Sequence, residues 1–364
     1  MQFSMIFEVQ LAHPTRENER RGYHETVEQA LLAEEVGFDR VWAVEHHNLR
    51  YYAHCTAPEI LLTHIAARTK RIRIGHGVVL LPKNYNHPIR VAERIAALDI
   101  LSGGRVDFGT GVSSSELEMG AFGVDPDTRH AEWAEALRMI PRMWSEAPFS
   151  HQGKYFQVPP RHVLPRPVQE PHPPLYVAAT REETLDVAGR LGIGALCLGF
   201  GGPEDILKKR IRYDRAIAAR GDAEIAGLVP NHHLSALCPA IVLEDRELAR
   251  AIGLRGQRFF VDALNHSYAG GPEPRADVDL AEAARARLSE EVVEADLAAP
   301  GADPASVQVR RAFGDPDDAM AYVRALVEAG ADEVMFLIQM GTVPQTACLE
   351  TIRLLGERVI PRFR

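Results

Sequence analysis

Short apolar runs alternate with longer stretches of helical spacing along almost the whole chain. The runs predict strands at Phe3–Val9, Val41–Val44, Ile72–Leu81, Arg105–Gly109, Leu175–Ala179, Ala195–Leu198, Leu234–Leu243 and Glu333–Gln339. Apolar residues three and four apart predict helices over His24–Val36, Pro58–Ala67, Val91–Leu101, His130–Trp144, Glu182–Arg190, Asp205–Ala219, Asp317–Ala329 and about Thr346–Arg358. Two stretches break the alternation. Phe149–Val158 reads as a hairpin around Gln152-Gly153, and the prolines from Pro159 to Pro174 rule out a helix after it. Residues 245–310 are charged, alanine-rich and loosely helical, which predicts an insertion. Eight strands, each followed by a helix or an insertion, give the count of an α/β protein with a (β/α)₈ TIM barrel, carried by one domain over 1–364. An open doubly wound sheet is the competing arrangement. No G-x-G-x-x-G follows the first strand, so a dinucleotide site of that kind is not expected.

Composition narrows the function classes. Hydrophobic residues make up 46% and charged residues 25%, as in a water-soluble globular protein. With 41 basic and 50 acidic residues the formal net charge is −9, which disfavours a nucleic-acid backbone as partner. Cys55, Cys197, Cys238 and Cys348 form no C-x-x-C pair, so a reducing cytoplasmic setting is expected. The first residues lack the basic start of a signal peptide. No apolar run approaches the roughly 18 residues that cross a bilayer.

Candidate chemistry clusters at strand exits, where parallel α/β proteins keep their sites. Gly37-Phe38-Asp39-Arg40-Val41-Trp42-Ala43-Val44-Glu45-His46-His47 reads as a helix stop, a buried strand and three ionisable side chains. Side chains alternate along a strand, so His46 and His47 do not both face the barrel mouth. One is a candidate acid/base, oriented by Glu45 or by backbone; the plainer alternative is a pair of packing histidines. Thr180 and Glu183 have capping-box spacing, and a helix start with Thr180, Arg181 and Thr184 suits either a plain cap or a phosphate. Gly109-Thr110-Gly111-Val112-Ser113-Ser114-Ser115-Glu116 offers small residues and hydroxyls to a polar ligand, or is a solvated loop. Gly199-Phe200-Gly201-Gly202 has the same character. No metal site is expected: H-E-x-x-H is absent, and His232-His233 precedes its strand. G-x-S-x-G is absent as well.

Taken together, the Gly37–His47 segment, Gly75-His76-Gly77-Val78-Val79-Leu80-Leu81-Pro82 with His87–Glu93, and Leu98–Gly109 resemble the bacterial luciferase-like flavin monooxygenase family over nearly the whole chain. The resemblance implies a luciferase-like (β/α)₈ barrel with reduced FMN in its mouth. It implies His46 as the active-site histidine, Glu45 as its orienter, and a cis peptide at Gly77–Val78 beside the flavin. Val78, Val79 and Phe200 would shape the ring pocket, Thr180, Arg181 and Thr184 would hold the phosphate, and Gly77, Gly111, Ser113 and Gly199 would also bind the cofactor. Val112 stands where the luciferase catalytic subunit has an arginine, and Arg181 is the expected substitute. The implied chemistry is insertion of one oxygen atom from O₂ into a small organic substrate through a C4a-hydroperoxyflavin. A separate flavin reductase would supply the reduced FMN, and the enzyme would be a homodimer. Two other readings belong to the same resemblance: hydride transfer with a deazaflavin coenzyme, and a non-catalytic flavin-binding subunit.

Overall fold

The computed structural model describes residues 1–199, 201–221, 225–276 and 311–364. Eight parallel strands close into a ring: β1 (Gln2–Phe7), β2 (Arg40–Ala43), β3 (Arg73–Leu80), β4 (Val106–Gly111), β7 (Leu175–Ala178), β8 (Gly194–Cys197), β9 (Leu234–Val242) and β11 (Glu333–Leu337). β11 returns to β1 in the register Gln2↔Glu333, so the barrel is complete. These are the eight strands that the apolar runs predict. β5 (Phe149–Gln152) and β6 (Gln157–Arg161) form the expected antiparallel hairpin outside the ring. A three-residue strand, β10 (Ala312–Gly314), escapes the pattern; it pairs with the end of β9 from Ala240 onward. Pro239 marks the change of partner, because it has no N–H to donate and the ladder between β9 and β11 stops there.

The helices that cover the ring are α1 (Arg16–Glu35), α2 (Pro58–Arg68), α3 (Pro88–Ser102), α4 (Glu116–Phe122), α5 (Arg129–Ser145), α6 (Glu182–Leu191), α7 (Gly202–Ala218), α8 (Arg246–Ala269), α9 (Pro316–Glu328) and α10 (Gln345–Leu354). α9 starts as its sequence requires: the Asp315 side chain accepts from the Asp317 and Asp318 N–H groups, with Pro316 at the first helical position. α1 begins eight positions before the predicted His24. Its first turns, Arg16–Arg21, carry no apolar stripe, and the start is set by Thr15, whose hydroxyl oxygen accepts from Asn18 N–H at 3.2 Å. α10 ends at Leu354 and runs on as a π-helical turn over Leu355–Val359. The predicted insertion at 245–310 contains α8; its residues 277–310 lie outside the described residues.

An ionic layer occupies the floor of the barrel. Arg40 Nε donates to Asp107 Oδ2 at 2.6 Å, and its Nη1 donates to Glu333. Glu333 also accepts from Trp42 Nε1 at 2.8 Å and bonds His233 Nε2 at 2.7 Å. Gly109 lets the wall close beside this layer, since a Cβ there would lie 2.1 Å from the His76 carbonyl oxygen. Residue 2 and the last residue both sit at the floor: Gln2 N–H donates to Asp332 O, and Arg364 donates to Asp39, at the entrance of β2.

Burial alone would raise the Glu333 pKa, but Arg40 and His233 hold it well below the usual carboxylate range. Glu333→Ala leaves the buried Arg40 with Asp107 alone, which Arg73 shares, and is expected to cost about 3–5 kcal/mol in urea denaturation at neutral pH. The loss should persist down to pH 4.5, the ordinary carboxyl value, and narrow only as stronger acid protonates Glu333 in the folded state.

Candidate active site

Side-chain contacts beyond the end of β2 select the inward histidine. Arg40 and Trp42 point into the barrel, where both reach Glu333, and His46 continues that face at the mouth. Its ring lies edge-on to Tyr52, with centroids 5.2 Å apart. His47 turns the other way and stacks beside Tyr85 and Phe122, at 5.9 and 4.8 Å. The Gly77–Val78 peptide is cis, in the stretch where β3 changes register against β4 between His76 and Val79.

Glu45 does not orient His46, contrary to the role drawn from the sequence. Its Oε1 contacts His47 Nε2 at 3.2 Å and accepts from Asn86 Nδ2 at 2.9 Å, while Oε2 accepts from Leu80 N–H at 2.8 Å. Glu45 therefore ties the exit of β2 to the exit of β3. The carboxylate on His46 belongs to Glu118 of α4, whose Oε1 accepts from His46 Nδ1 at 3.0 Å and from His47 N–H at 2.8 Å. Glu118 Oε2 accepts from Ser113 Oγ at 2.7 Å, so no solvent is needed to satisfy it. A second carboxylate, Glu8 at the end of β1, places Oε2 4.0 Å from His46 Nε2 and takes a hydrogen bond from Tyr52 OH at 3.3 Å.

Neither glutamate stands out in the sequence pattern. Glu8 hides inside the apolar run of β1. Ser115 and Glu118 have capping-box spacing, a signal that would have found α4 but not its use. The Ser115 side chain makes no cap bond and donates instead to Ser267 O at 2.9 Å. Glu118 is thereby left to face the histidines.

The two carboxylates experience opposite fields. Burial pushes Glu8 up to about 7, against the pull of His46 and the Tyr52 hydroxyl, and the charge of Glu118 adds to the rise. Glu118 is also buried, yet the hydrogen bonds from His46 and Ser113 hold it below its ordinary value. Burial by itself would neutralise His46; the Glu118 bond, with the charges of Glu118, Glu8 and Glu45, raises its pKa instead. Near neutral pH the cluster thus sets an ionised Glu118 against a His46 whose protonation it favours, beside a Glu8 that exchanges its proton readily. Val9, next to Glu8, holds φ at +53° although it is β-branched, which costs on the order of 1–3 kcal/mol and fixes the turn that aims Glu8 inward.

α8 closes one side of the mouth: Phe260 and Tyr268 meet the Tyr52 ring at 5.2 and 6.0 Å. On another side, Thr180 and Arg181 are exposed at the start of α6, and Thr184 is half-buried in its first turn. The predicted Thr180–Glu183 capping box is absent. Arg181 is the N-cap and no side chain caps the helix, which leaves its first N–H groups without a side-chain partner. That arrangement suits an anion such as a phosphate. Gly111 and Ser113 lie at the exit of β4. Gly111 is within the strand rather than in a loop, where a Cβ would meet Val78 at 2.6 Å, so its smallness serves wall packing. Val78 and Val79 are buried, and Gly199 follows β8. Phe200 lies outside the described residues. Inward imidazole, buried acid pair and uncapped helix start share one face of the barrel, and these donors fit a phosphate-bearing aromatic cofactor.

Among the described residues there is no group of three or more metal-ligating side chains. No described helix is long and apolar enough to cross a membrane. Two concave regions lie apart from His46: one of about 300 Å³ near Gly201, Phe313 and Tyr322, and one of about 440 Å³ near Gln10 and Gln345.

A family model described as luciferase-like monooxygenase matches residues 1–333. The oxygenase component of a flavin-dependent trigonelline monooxygenase from Acinetobacter baylyi is 25% identical over 366 residues, 100% of this chain and 96% of its own. An F420-dependent glucose-6-phosphate dehydrogenase from Amycolatopsis mediterranei is 28% identical over 330 residues, 87% of this chain and 89% of its own. Two relatives from Sinorhizobium fredii reach 33%, but the matches span only about half their length, 51% and 52%. Among solved structures, the monooxygenase RslO1 from Streptomyces bottropensis superposes with a TM-score of 0.76 at 27% identity and covers 100% of both chains.

Glu118→Gln removes the charge that favours the imidazolium, so the His46 pKa should fall, as followed by NMR of its ring protons. Glu8→Gln should also lower it, and should flatten the stability profile. A carboxyl at about 7 folded and 4.5 unfolded binds more protons in the native state, so wild-type stability declines with rising pH across that window.

Proposed function

Because this chain belongs to the luciferase-like monooxygenase family, we propose that it is the oxygenase of a two-component system that uses reduced FMN and O₂ to oxygenate a small organic substrate. A separate flavin reductase is the proposed partner, and the proposal includes a homodimeric, cytoplasmic enzyme. The end-to-end likeness to the Acinetobacter oxygenase component carries this reading, and the inward His46 at the mouth supports it.

Bound reduced FMN supplies the electrons that activate O₂. The chain's own residues do the rest. Thr180, Arg181 and Thr184 hold the phosphate at the start of α6, with Gly111 and Ser113 along the way. Gly77, Val78, Val79 and Gly199 would shape the bed of the ring. His46 donates or takes a proton through Nε2, since Nδ1 is committed to Glu118. Glu118 is a positioning residue that fixes the imidazole's tautomer, and Glu8 restores the proton. Glu45 holds the exits of β2 and β3 together. Tyr52, Phe260 and Tyr268 keep water from that side of the mouth.

A second reading is hydride transfer with a deazaflavin coenzyme. The Amycolatopsis relative points to it, and so does Glu8, which at about 7 is tuned to the acid/base work that oxidation of an alcohol demands.

Anaerobic titration with reduced FMN followed by O₂ separates the two. The oxygenase should bind reduced FMN and delay its reoxidation relative to free flavin, with a transient absorbance before oxidised flavin appears. Tight deazaflavin binding with flavin reoxidation at the free rate would exclude it. His46→Ala is expected to slow the productive reaction about 10²-fold or more with little change in melting temperature. His47→Ala should do far less; an equal loss would remove the special status of His46.

A further inference from the structure

Four tyrosines stand around the mouth, and three of their hydroxyls are spent or closed off. Tyr52 OH donates to Glu8 at 3.3 Å, and Tyr51 OH donates to Glu273 at 2.8 Å. The Tyr85 hydroxyl is enclosed. Tyr268 differs. It is half-buried, its hydroxyl is not among the enclosed polar atoms, and no described residue bonds that hydroxyl.

The fold holds this phenol in place. Tyr268 lies in the last turn of α8, with its ring at 90° to that of Tyr52, which is itself edge-on to His46. Ser115 Oγ donates to Ser267 O at 2.9 Å and ties this turn to the start of α4. Gly270 then stops the helix at φ +67°, and His266 Nδ1 bonds Gly271 O at 2.8 Å. Burial and the charges of Glu118 and Glu8 raise the Tyr268 pKa, so the phenol keeps its proton at neutral pH and above.

The acceptors nearby are closed to a ligand. Glu118 already receives His46, the His47 N–H and Ser113, and Glu8 Oε2 is enclosed. A ligand therefore meets donors, Tyr268 OH and His46, and needs a group that only accepts. An alcohol or amine would bring a hydrogen with no partner. A carboxylate accepts only, but the charges of Glu8 and Glu118 oppose it. A neutral carbonyl meets both conditions.

We propose that Tyr268 is a specificity-determining residue whose hydroxyl donates to the carbonyl oxygen of an uncharged substrate. The assignment rests on the oxygenase chemistry proposed above, for which it names the substrate class.

Acetophenone is the probe. Ethylbenzene has its shape without the oxygen, and benzoate carries an anion in place of the ketone. Titrations of the full chain without flavin are followed by NMR of the His46 ring protons. Acetophenone should bind about fivefold or more tighter than ethylbenzene, and tighter than benzoate. Tyr268→Phe keeps the ring beside Tyr52 and removes the donor, so it should erase the preference by weakening acetophenone alone; a merely structural role would weaken both. A wild-type crystal with acetophenone should place the ketone oxygen within hydrogen-bond distance of the Tyr268 hydroxyl, which answers without the variant. Equal affinity for acetophenone and ethylbenzene, a preference that survives Tyr268→Phe, or a ketone oxygen seated elsewhere overturns the proposal. The anaerobic FMN titration is separate: flavin binding with no preference removes the role of Tyr268 and spares the oxygenase, whereas a preference without flavin binding does the reverse.

Discussion

A guanidinium buried in a ring of strands dictates much of this molecule. Arg40 occupies the barrel floor at 3% exposure, where an unpaired charge would be prohibitive, and it persists because Asp107 and Glu333 reach it from two other strands. That three-way contact fixes the facing of β2. Once Arg40 points inward, alternation sends Trp42 inward. The strand ends at Ala43, and beyond it the bonds to Glu118 hold His46 at the mouth.

At the mouth, one imidazole mediates between two acids that the fold treats differently. Glu118 accepts from three donors, the His47 backbone N–H, the Ser113 hydroxyl and His46 itself, so it stays ionised. Glu8 has a single weak hydroxyl donor and a more distant ring, so burial dominates. Two chemically similar side chains are driven apart in acidity by what surrounds them, the usual way in which one site comes to hold both a fixed charge and a movable proton.

The ring of eight strands was legible in the chain because each strand is covered on both faces and so reads as an unbroken apolar run. Elements that bury little were harder to read. The polar opening turns of α1 carry no stripe, and β10 is three residues long. Within the site, the choice between His46 and His47 came from the resemblance, because strand alternation ends at Ala43. Glu118 was missed because the stretch after Gly109 read as a loop and α4 was not predicted, and Glu45 was given its task by nearness in sequence. Thr180 failed in the converse sense: the spacing promised a cap that the backbone does not form.

The closure of β11 onto β1 has a practical corollary. Both Gln2 and Arg364 are anchored on the underside of the cylinder, a full strand length from the imidazole. A tether, a fused module or a solid support joined at Gln2 or Arg364 would hang beneath the barrel, leaving the rim that carries His46 open to diffusing ligands.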